Sequence, residues 1–486
     1  MMSSTCRRGA LVVAVVTLFA GPALGQDDDP AKLLEEFIHY TLIAKPDLAS
    51  GYAEKLFRSG LSDADLAETI DDSRELAGRF EDAIIRAHLI SELEDIAAEL
   101  ERRLNEGRLD LARDGDRITK AIAMLTGNQR MKIQSRRLLA EAGEFAVPYL
   151  LRQIVEGGDE RLRSASGDML VEVGRQTVTP LCVALPHLDD RNQRFVCGVL
   201  GEIGLPHAAP YLMELSMADA TAAATRDAAA RAFRQVGGLG GDLSRQFDRL
   251  GQQYFNEAES LVASAFEPTN NVWTYDPLFG LEATPIPTEI YSEVMAMRTA
   301  SRALRIDPRN RRALSLFVAA NLKRANELPA GAADPIFGEN RYSPDFYATV
   351  FGTEICMDVL AMGIDRLDTS LVRDAIAALS QTTGGANLFT MSDGRQPLLE
   401  ALRYPDRRVQ YEAALTLGRA LPGQRFSGDV SVVPLLASAV RTGETAYAVV
   451  ISQNGENRRV ASTRLDELGF TILAAGQSFE TVRSEM

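Results

Sequence analysis

The sequence of 486 residues contains four histidines, the side chain that most often binds zinc or transfers protons near neutral pH. They are His39, His88, His187 and His207. No two of them have the His-Glu-x-x-His spacing that places both rings on one face of a helix, as in zinc hydrolases. The histidines therefore predict no metal site. His207 stands in a turn between two predicted helices and is expected to face the solvent.

The acidic residues between Asp110 and Asp116 are spaced somewhat like a calcium-binding loop. In such a loop, the third and twelfth positions supply oxygen ligands. Here those positions are Ala112 and Ala121, so the segment is not expected to bind calcium. The sequence also has no phosphate-binding glycine loop and no Gly-x-Ser-x-Gly turn for a nucleophilic serine. It predicts no catalytic, cofactor-binding or metal-binding residue, and a protein that is not an enzyme.

Three cysteines lie beyond the first 25 residues: Cys182, Cys197 and Cys356. An odd and sparse set does not indicate a disulfide framework. Cys182 and Cys197 fall on predicted helices that pack together, so a bridge between them is one interpretation. Two small buried residues in a tight helix interface is the favoured one.

A short basic cluster, Arg130, Lys132, Arg136 and Arg137, lies on one predicted helix. A site for a phosphate or an acidic partner is one interpretation, and a solvated helix face is the favoured one. Trp273, the only tryptophan, stands in a proline-rich segment. An exposed aromatic side chain in a loop is a common binding feature, but packing of this ring against neighbouring helices is favoured.

A repeat supplies the elements that would position such residues. Between Met131 and Gly238, glycines recur every 31, 30 and 33 residues, and a proline follows each of the first three by five or six positions. The glycines are Gly143, Gly174, Gly204 and Gly237, and the prolines are Pro148, Pro180 and Pro210. A fixed period of this size is typical of helical solenoids.

Each repeat predicts a pair of helices. Glycine ends the first helix because it adopts a positive φ without steric cost. The proline is expected in the first turn of the second helix, where its missing N–H needs no partner. Neither helix buries its apolar face alone, so successive pairs stack. The pattern of residues 127–240 resembles HEAT repeats, including the short HEAT-like units of bacterial proteins, and this resemblance implies an α-solenoid with a binding surface.

Residues 1–25 predict a signal peptide. Arg7 and Arg8 precede an apolar run that is too short to span a membrane, and Ala23 and Gly25 suit a cleavage site. The protein is therefore expected to be exported to the periplasm or cell envelope. An uncleaved membrane anchor is the alternative.

Residues 26–126 predict an acidic helical region. Between Gln26 and Lys120 there are 13 basic and 24 acidic residues, a net charge of −11. Apolar spacing predicts a helix over residues 30–43, another after a cap at Ser62, and one long amphipathic segment from Asp82 to Leu104. A coiled coil is the alternative for this last segment. The region is expected to cap the open end of the solenoid.

The pattern changes beyond the first array. Residues 241–287 are rich in glycine and proline and predict an irregular connector. Residues 288–330 carry alanines at helical spacing ahead of Asp307 and Pro308, which resembles the second helix of a tetratricopeptide repeat. Such repeats bind peptides when they occur in series, and one unit makes no groove.

Residues 340–442 predict a second HEAT-like array. Helices are expected near Phe346–Met362, Ser370–Gln381 and Gln396–Leu402, and Pro434 is expected to open the last helix.

Residues 445–486 predict a strand, a helix, a second strand and the start of another helix. This order predicts a parallel sheet, which two strands do not stabilise alone. The native chain is therefore expected to continue beyond Met486, with docking of the element elsewhere as the alternative. The pattern resembles the start of a response-regulator receiver-like domain. Such domains hold Mg²⁺ with acidic residues after the first strand, where this chain has Ser452, Gln453 and Asn454. The resemblance therefore implies a degenerate relative.

The composition is that of a soluble protein, 46% hydrophobic and 24% charged, and the net charge of −15 argues against a nucleic-acid partner. The expected fold is all-α: a HEAT-like α-solenoid with a helical N-terminal cap, plus the incomplete C-terminal α/β element. The expected function is that of an exported, non-enzymatic scaffold that binds a protein partner through the solenoid surface. The alternatives are a HEAT-like enzyme of the bilin lyase type and a regulatory protein coupled to the receiver-like element.

Overall fold

Helices form where apolar residues recur every three or four positions, and they make up most of the chain that the computed structural model describes. The described residues are 29–264, 267–337, 342–382, 384, 394–420, 422–423, 425–442 and 446–483. The predicted signal peptide, residues 1–25, lies outside them. The chain forms two compact units, the first ending at Val173 and the second beginning at Gly174. The helical class predicted from the sequence is confirmed.

The described part of the first unit contains nine helices. They are α1 (Pro30–Leu42), α2 (Pro46–Arg58), α3 (Asp63–Asp71), α4 (Arg74–Ala87), α5 (Glu94–Arg113), α6 (Gly115–Met124), α7 (Gln129–Ala142), α8 (Val147–Glu156) and α9 (Glu160–Val173). Leu34 and Phe37 of α1 are fully buried in the core of this unit. The predicted cap at Ser62 is confirmed, because its Oγ accepts the N–H of Asp65 at 3.1 Å. Helix α6 packs on α7 and so joins the acidic region to the first predicted repeat.

The prediction of one long segment from Asp82 to Leu104 was wrong. Helix α4 ends at Ala87 and α5 begins at Glu94, with turns between them. Leu89, an apolar residue at helical spacing within that segment, lies exposed in this break. The chain bends here because α4 packs on α1 whereas α5 packs on α3, and periodicity within one segment does not report that change of partner.

The described part of the second unit contains fifteen helices and four strands. The helices are α10 (Arg175–Ala184), α11 (Asp190–Ile203), α12 (Ala209–Met217), α13 (Ala223–Gln235), α14 (Leu243–Phe255), α15 (Tyr291–Ile306), α16 (Arg311–Glu327), α17 (Pro344–Val350), α18 (Gly352–Arg366), α19 (Thr369–Thr382), α20 (Pro397–Glu400), α21 (Arg407–Arg419), α22 (Asp429–Thr442), α23 (Gly455–Glu467) and α24 (Phe479–Arg483). The strands are β1 (Thr269–Asp276), β2 (Gly280–Pro287), β3 (Ala446–Ile451) and β4 (Phe470–Gly476). Successive helices pack side by side, α14 on α15, α15 on α16 and α18 on α19, around an aliphatic core.

The repeat glycines end helices as predicted. Gly143, Gly174, Gly204 and Gly237 have φ values of +55°, +71°, +73° and +75°. Side chains with a Cβ rarely adopt such values, so glycine is required where the chain leaves each helix.

The repeat prolines follow the prediction only in part. Pro148 and Pro210 lie in the first turns of α8 and α12, as predicted. Pro180 lies in the interior of α10, because that helix starts directly after Gly174 without the 3₁₀ turn that precedes α8 and α12. Pro434 was also misplaced by the prediction. It lies inside α22, which begins five residues earlier.

The segment 241–287 is not irregular, and this prediction was wrong. It contains helix α14, whose cap Asp242 accepts the N–H of Arg245 at 3.0 Å, and the antiparallel hairpin of β1 and β2. Its prolines indicated loop, but those in β2 are tolerated because a two-stranded hairpin has an outer edge that needs no N–H donor. Trp273 is buried, which confirms the prediction that this ring packs.

The tetratricopeptide-like segment folds as the helical pair α15 and α16, in which Ala296, Ala300 and Ala303 are fully buried. The helix predicted over Phe346–Met362 is two helices, α17 and α18. Gly352, with a φ of +79°, separates them. Helix α19 confirms the second predicted helix, and the third is only one turn, α20, followed by a 3₁₀ turn.

The C-terminal β-α-β order is confirmed. Strands β3 and β4 pair in parallel, with Ala446 opposite Phe470 and Ile451 opposite Gly476. Helix α23 connects them and packs on β4. The named repeat families, the solenoid arrangement and the receiver-like resemblance stay predictions.

Candidate protein-binding site

A groove of about 530 Å³ opens in the second unit between the start of α16 and the start of α18. Pro308, Leu314 and Phe351 contribute apolar surface to its wall, and Arg309 and Arg311 contribute guanidinium groups. Together with Tyr342, Phe346 and Tyr347, which lie on α17 and just before it, this surface is called the aromatic–arginine groove.

Side-chain hydrogen bonds fix the loop that carries the arginines. Oδ1 of Asp307 accepts the N–H of Arg309 at 3.0 Å. Asn310 caps α16, since its Oδ1 accepts the N–H of Ala313 at 3.1 Å. The Nδ2 of Asn310 also donates to Oγ of Ser244 at 2.8 Å, which ties the loop to α14. The loop is therefore held in place without help from the arginine side chains.

The two arginines differ in how strongly their guanidinium groups are paired within the protein. Arg311 binds Asp358 with both arms of its fork, at 2.7 Å from Nε and 2.8 Å from Nη2, and lies 3.2 Å from Glu354. Its charge is neutralised within the protein. The side chain of Arg309 is 96% exposed, and its Nε lies 3.9 Å from Asp307. Arg309 is therefore the guanidinium at this groove that is available to a partner.

Aromatic rings form a ladder beside the groove. Tyr342 stacks on Phe346 with ring centroids 4.2 Å apart, and Phe346 meets Tyr347 edge to face at 5.9 Å. Tyr347 in turn lies 6.4 Å from Phe351, the ring that lines the groove. Three of these rings and the neighbouring Val350 are exposed, and Tyr347 is half-buried.

Helix α17 and the turn after it position the ladder. Ser343 caps α17 by accepting the N–H of Phe346 at 3.3 Å. The Cys356 thiol donates to the carbonyl oxygen of Ala348 at 2.9 Å, which joins α17 to α18. Burial raises the pKa of Cys356 to about 11, so this thiol stays neutral. Gly352 supplies the positive φ that turns the chain and leaves Phe351 at the groove.

The spacing of four aromatic residues in the sequence is a signal for this site, although none of the predictions above included it. Tyr342, Phe346, Tyr347 and Phe351 are spaced four, one and four residues apart, which places aromatic side chains on neighbouring positions of a helical turn. Helical spacing alone does not separate core rings from exposed ones, and only the fold shows that these rings face outward.

A second groove, of about 460 Å³, lies between α11 and α13 inside the predicted HEAT-like array. Arg194, Arg231 and Gln235 line it above small residues such as Gly198 and Ala228. Nη1 of Arg194 donates to the hydroxyl of a threonine on α13 at 3.2 Å. This groove has no aromatic wall.

The prediction that His207 faces solvent was wrong. It lies in the 3₁₀ turn Pro206–Ala208, which packs against α10, and its ring is buried. Burial, and then the charge of Arg175, lower the pKa of His207 to about 4. The ring is therefore neutral at pH 7.

The other histidines each have a separate partner. Nε2 of His88 lies 2.9 Å from a carboxylate oxygen of Glu101. His187 stacks on Tyr275 of the hairpin at 4.7 Å. Among the described residues, no group of three side chains has the arrangement of a metal site.

The acidic run from Asp110 to Asp116 is not a loop. It spans the end of α5 and the start of α6, and Asp114 caps α6 by accepting the N–H of Arg117 at 2.8 Å. Asn454, at a receiver-like metal position, likewise caps α23 by accepting the N–H of Glu456 at 2.8 Å.

Cys182 and Cys197 are free and buried, as the favoured interpretation expected. Burial raises the pKa of both thiols, that of Cys197 to about 12. Part of the basic cluster on α7 is paired within the protein: Arg136 lies 2.5 Å from Glu172, and Arg137 lies 3.7 Å from a glutamate one turn further on.

No known protein family and no curated protein match this chain. Two solved structures are similar over most of its length. An engineered protein shares 14% identity over 81% of this chain and 95% of its own, with a TM-score of 0.21. A circular tandem repeat protein with a novel repeat topology shares 14% identity over 94% of this chain and 84% of its own, with a TM-score of 0.18. Scores this low carry no fold assignment.

Within the described ranges, no helix combines the length and the apolar character needed to span a bilayer.

Proposed function

We propose that the protein is an exported, non-enzymatic scaffold that binds a protein partner, and that the aromatic–arginine groove is its contact surface. The observation that carries this proposal is the ladder of exposed rings next to an exposed arginine. Aromatic residues and arginine are enriched at the energetic centres of protein interfaces, whereas an isolated folded protein gains by burying such rings. The helical repeats supply a rigid support for them.

The side chains of the groove would make two kinds of contact with a partner, apolar packing and hydrogen bonds. Tyr342 and Phe346 present flat apolar surface, so they would pack against an aliphatic or aromatic anchor of the partner. Arg309 would donate hydrogen bonds to a carboxylate or to main-chain carbonyls beside that anchor. Arg311 is held by Asp358 and keeps the wall in place. This arrangement supports recognition of a side chain together with the backbone next to it.

The remaining parts of the proposal come from the sequence. The N-terminal leader supports export to the periplasm or cell envelope. The net charge of −15 supports a protein partner over a nucleic acid, because the phosphate backbone would be repelled.

The test is a crosslinked pull-down from envelope extract with the chain as bait, followed by titration calorimetry with the purified partner. Phe346→Ala and Arg309→Ala are each expected to weaken binding about tenfold or more, because each removes a central contact. Leu278→Ala is the matched control, since Leu278 is an exposed apolar residue at the tip of the β1–β2 hairpin.

The control variant is expected to bind like the unmodified chain. Equal affinity of the Phe346 and Arg309 variants and the unmodified chain would show that the partner uses another surface. Loss of binding in the Leu278 variant alone would move the site to the hairpin.

A further inference from the structure

The groove between α11 and α13 carries a guanidinium group on each of its two walls. Arg194 stands on α11 and Arg231 on α13, and both side chains line the groove. Small residues, among them Gly198, Ala228 and Ala232, lie between the arginines and form the floor. The volume of about 460 Å³ falls within the range of about 300–1,000 Å³ that is usual for ligand sites. This surface is called the α11–α13 groove.

Arg194 is held at the α11–α13 groove by two successive hydrogen bonds. Its Nη1 donates to Oγ1 of Thr225 at 3.2 Å, and that hydroxyl donates to Oδ1 of Asp190 at 2.8 Å. The guanidinium therefore has a defined position. Its other N–H groups have no acceptor among the described residues, so they are available to a ligand.

Arg231 brings a second positive charge to the same groove. The side chain is exposed, and no carboxylate of the described ranges lies within ion-pair distance of it. Burial raises the pKa of Cys197, and the charge of Arg231 acts against this increase, which places the guanidinium near a thiol of the groove lining. The acidic residue of the lining, Glu202, stands eight residues after Arg194, about 12 Å further along α11. The arginine end of the groove is therefore positively charged.

The charge of the walls favours a carboxylate ligand, and the form of the floor favours a peptide. A guanidinium group binds a carboxylate through two parallel hydrogen bonds. A Cβ at Gly198 would meet no atom within 4 Å, so the space above this glycine is open. Glycine and alanine at the floor allow the main chain of a bound segment to approach the two helices closely. An open groove along two helices suits an extended segment better than an enclosed small molecule.

We propose that the α11–α13 groove binds an acidic segment of a partner protein, with aspartate or glutamate side chains paired to Arg194 and Arg231. The two arginines select carboxylates, and the small residues between them admit the main chain of the segment. This site shares no lining residue with the aromatic–arginine groove and does not depend on the function proposed for that groove.

The test is a selection of random octapeptides, displayed on phage, against the full chain, followed by fluorescence anisotropy with the selected peptides. Peptides rich in aspartate and glutamate are expected. Arg194→Gln and Arg231→Gln are each expected to raise the dissociation constant of these peptides about tenfold or more, because each removes a charge-assisted pair. Arg234→Gln is the matched control, since Arg234 is exposed on the same helix and lies outside the groove lining. It is expected to leave the dissociation constant unchanged.

A further variant, Gly198→Leu, fills the groove without changing its charge. The added Cβ meets no atom, and leucine favours a helix more than glycine does, so the variant is expected to fold. Circular dichroism checks the fold of every variant. The leucine side chain is expected to raise the dissociation constant of the acidic peptides about tenfold or more, because it occupies the space above the floor.

Three outcomes would overturn the proposal. Selected peptides that bind the Arg194, Arg231 and Gly198 variants as tightly as the unmodified chain would show that acidic segments do not use this groove. Equal weakening by Arg234→Gln would show attraction to positive charge at any position. Selection only of peptides that Phe346→Ala weakens would assign all binding to the aromatic–arginine groove, and the function proposed for that groove would stand.

Discussion

Replacing Lys323 with methionine tests whether one buried ammonium group holds the second unit together. The side chain of Lys323 is 7% exposed, and its Nζ lies 2.5 Å from Glu293, 3.2 Å from Glu257 and 3.0 Å from Glu327. Glu293 lies in α15, Glu257 lies two residues after the end of α14, and Glu327 is the last residue of α16. Burial by itself lowers the pKa of the ammonium, but the charge and hydrogen bond of Glu293 outweigh it, so the pKa of Lys323 is raised.

The size of the expected loss in unfolding free energy depends on which carboxylates can be hydrated once the lysine is removed. Glu257 and Glu327 are partly exposed, with side-chain exposures of 50% and 35%, and hydrate readily once the lysine is gone. Glu293 is 1% exposed, and its second oxygen, Oε2, already has no hydrogen-bond partner. Breaking a buried ion pair from one side costs about 3–5 kcal/mol, because it leaves an uncompensated charge. We expect Lys323→Met to lower the free energy of unfolding of this unit by that amount.

The assay is urea unfolding followed by tryptophan fluorescence. Trp273 is the only tryptophan and is buried in the second unit, so its emission reports on that unit. The double variant Lys323→Met with Glu293→Met is expected to recover at least half of the loss, since an apolar pair of similar volume can replace a buried ion pair. Arg309→Met is the control for loss of an exposed cation and is expected to change stability by less than about 0.5 kcal/mol. A loss below about 1 kcal/mol in the single variant, or no recovery in the double variant, would refute this reasoning.

Two further predictions concern single positions. Burial, and then the charge of Glu293, raise the pKa of Glu327 from 4.5 to about 7. The protonated carboxyl therefore stabilises the folded state fully below pH 4.5, and this contribution to the free energy of unfolding is lost as the pH rises through 7. As the pH rises from 5 to 8, the melting temperature of the Glu327→Gln variant is therefore expected to fall less than that of the unmodified chain. Melting scans measure this difference, and identical pH profiles of the two proteins would contradict it. A Cβ at Gly107 of α5 would lie 1.8 Å from the carbonyl oxygen of Asp63, so Gly107→Ala is expected to lower the unfolding free energy of the first unit by about 1–3 kcal/mol in urea titrations followed by circular dichroism. The control Gly78→Ala, whose Cβ meets nothing, is expected to raise it by about 0.5–1 kcal/mol, and equal effects at the two glycines would contradict the argument.

Features that depend on residues only a few positions apart were predicted correctly from the sequence. The glycines at 143, 174, 204 and 237 end helices because their backbone conformation is closed to other residues, whatever packs around them. The cap at Ser62 follows from an equally local pattern, and the parallel pairing of β3 with β4 follows from the strand–helix–strand order. In the second unit, the helical spacing of the alanines in residues 288–330 correctly predicted helix α15.

The candidate site was not predicted, because its residues depend on long-range neighbours. Arg309 and Arg311 are separated by one residue in the sequence. Only the approach of Asp358 pairs Arg311 within the protein, whereas Arg309 stays exposed to solvent. The spacing of the exposed rings Tyr342, Phe346 and Phe351 is also that of core residues, and only the packing of the surrounding helices shows that they are exposed.

The sequence by itself determined that the repeat glycines end helices, the order of the C-terminal strands and the spacing of the repeat. Those features depend on backbone conformation and on side-chain spacing within one element. The tertiary structure alone decided that His207 is buried, that the segment 241–287 contains a helix and a hairpin, and that three valines of α22 are exposed. Burial is a property of what packs against a residue, and those partners come from segments far away in the chain.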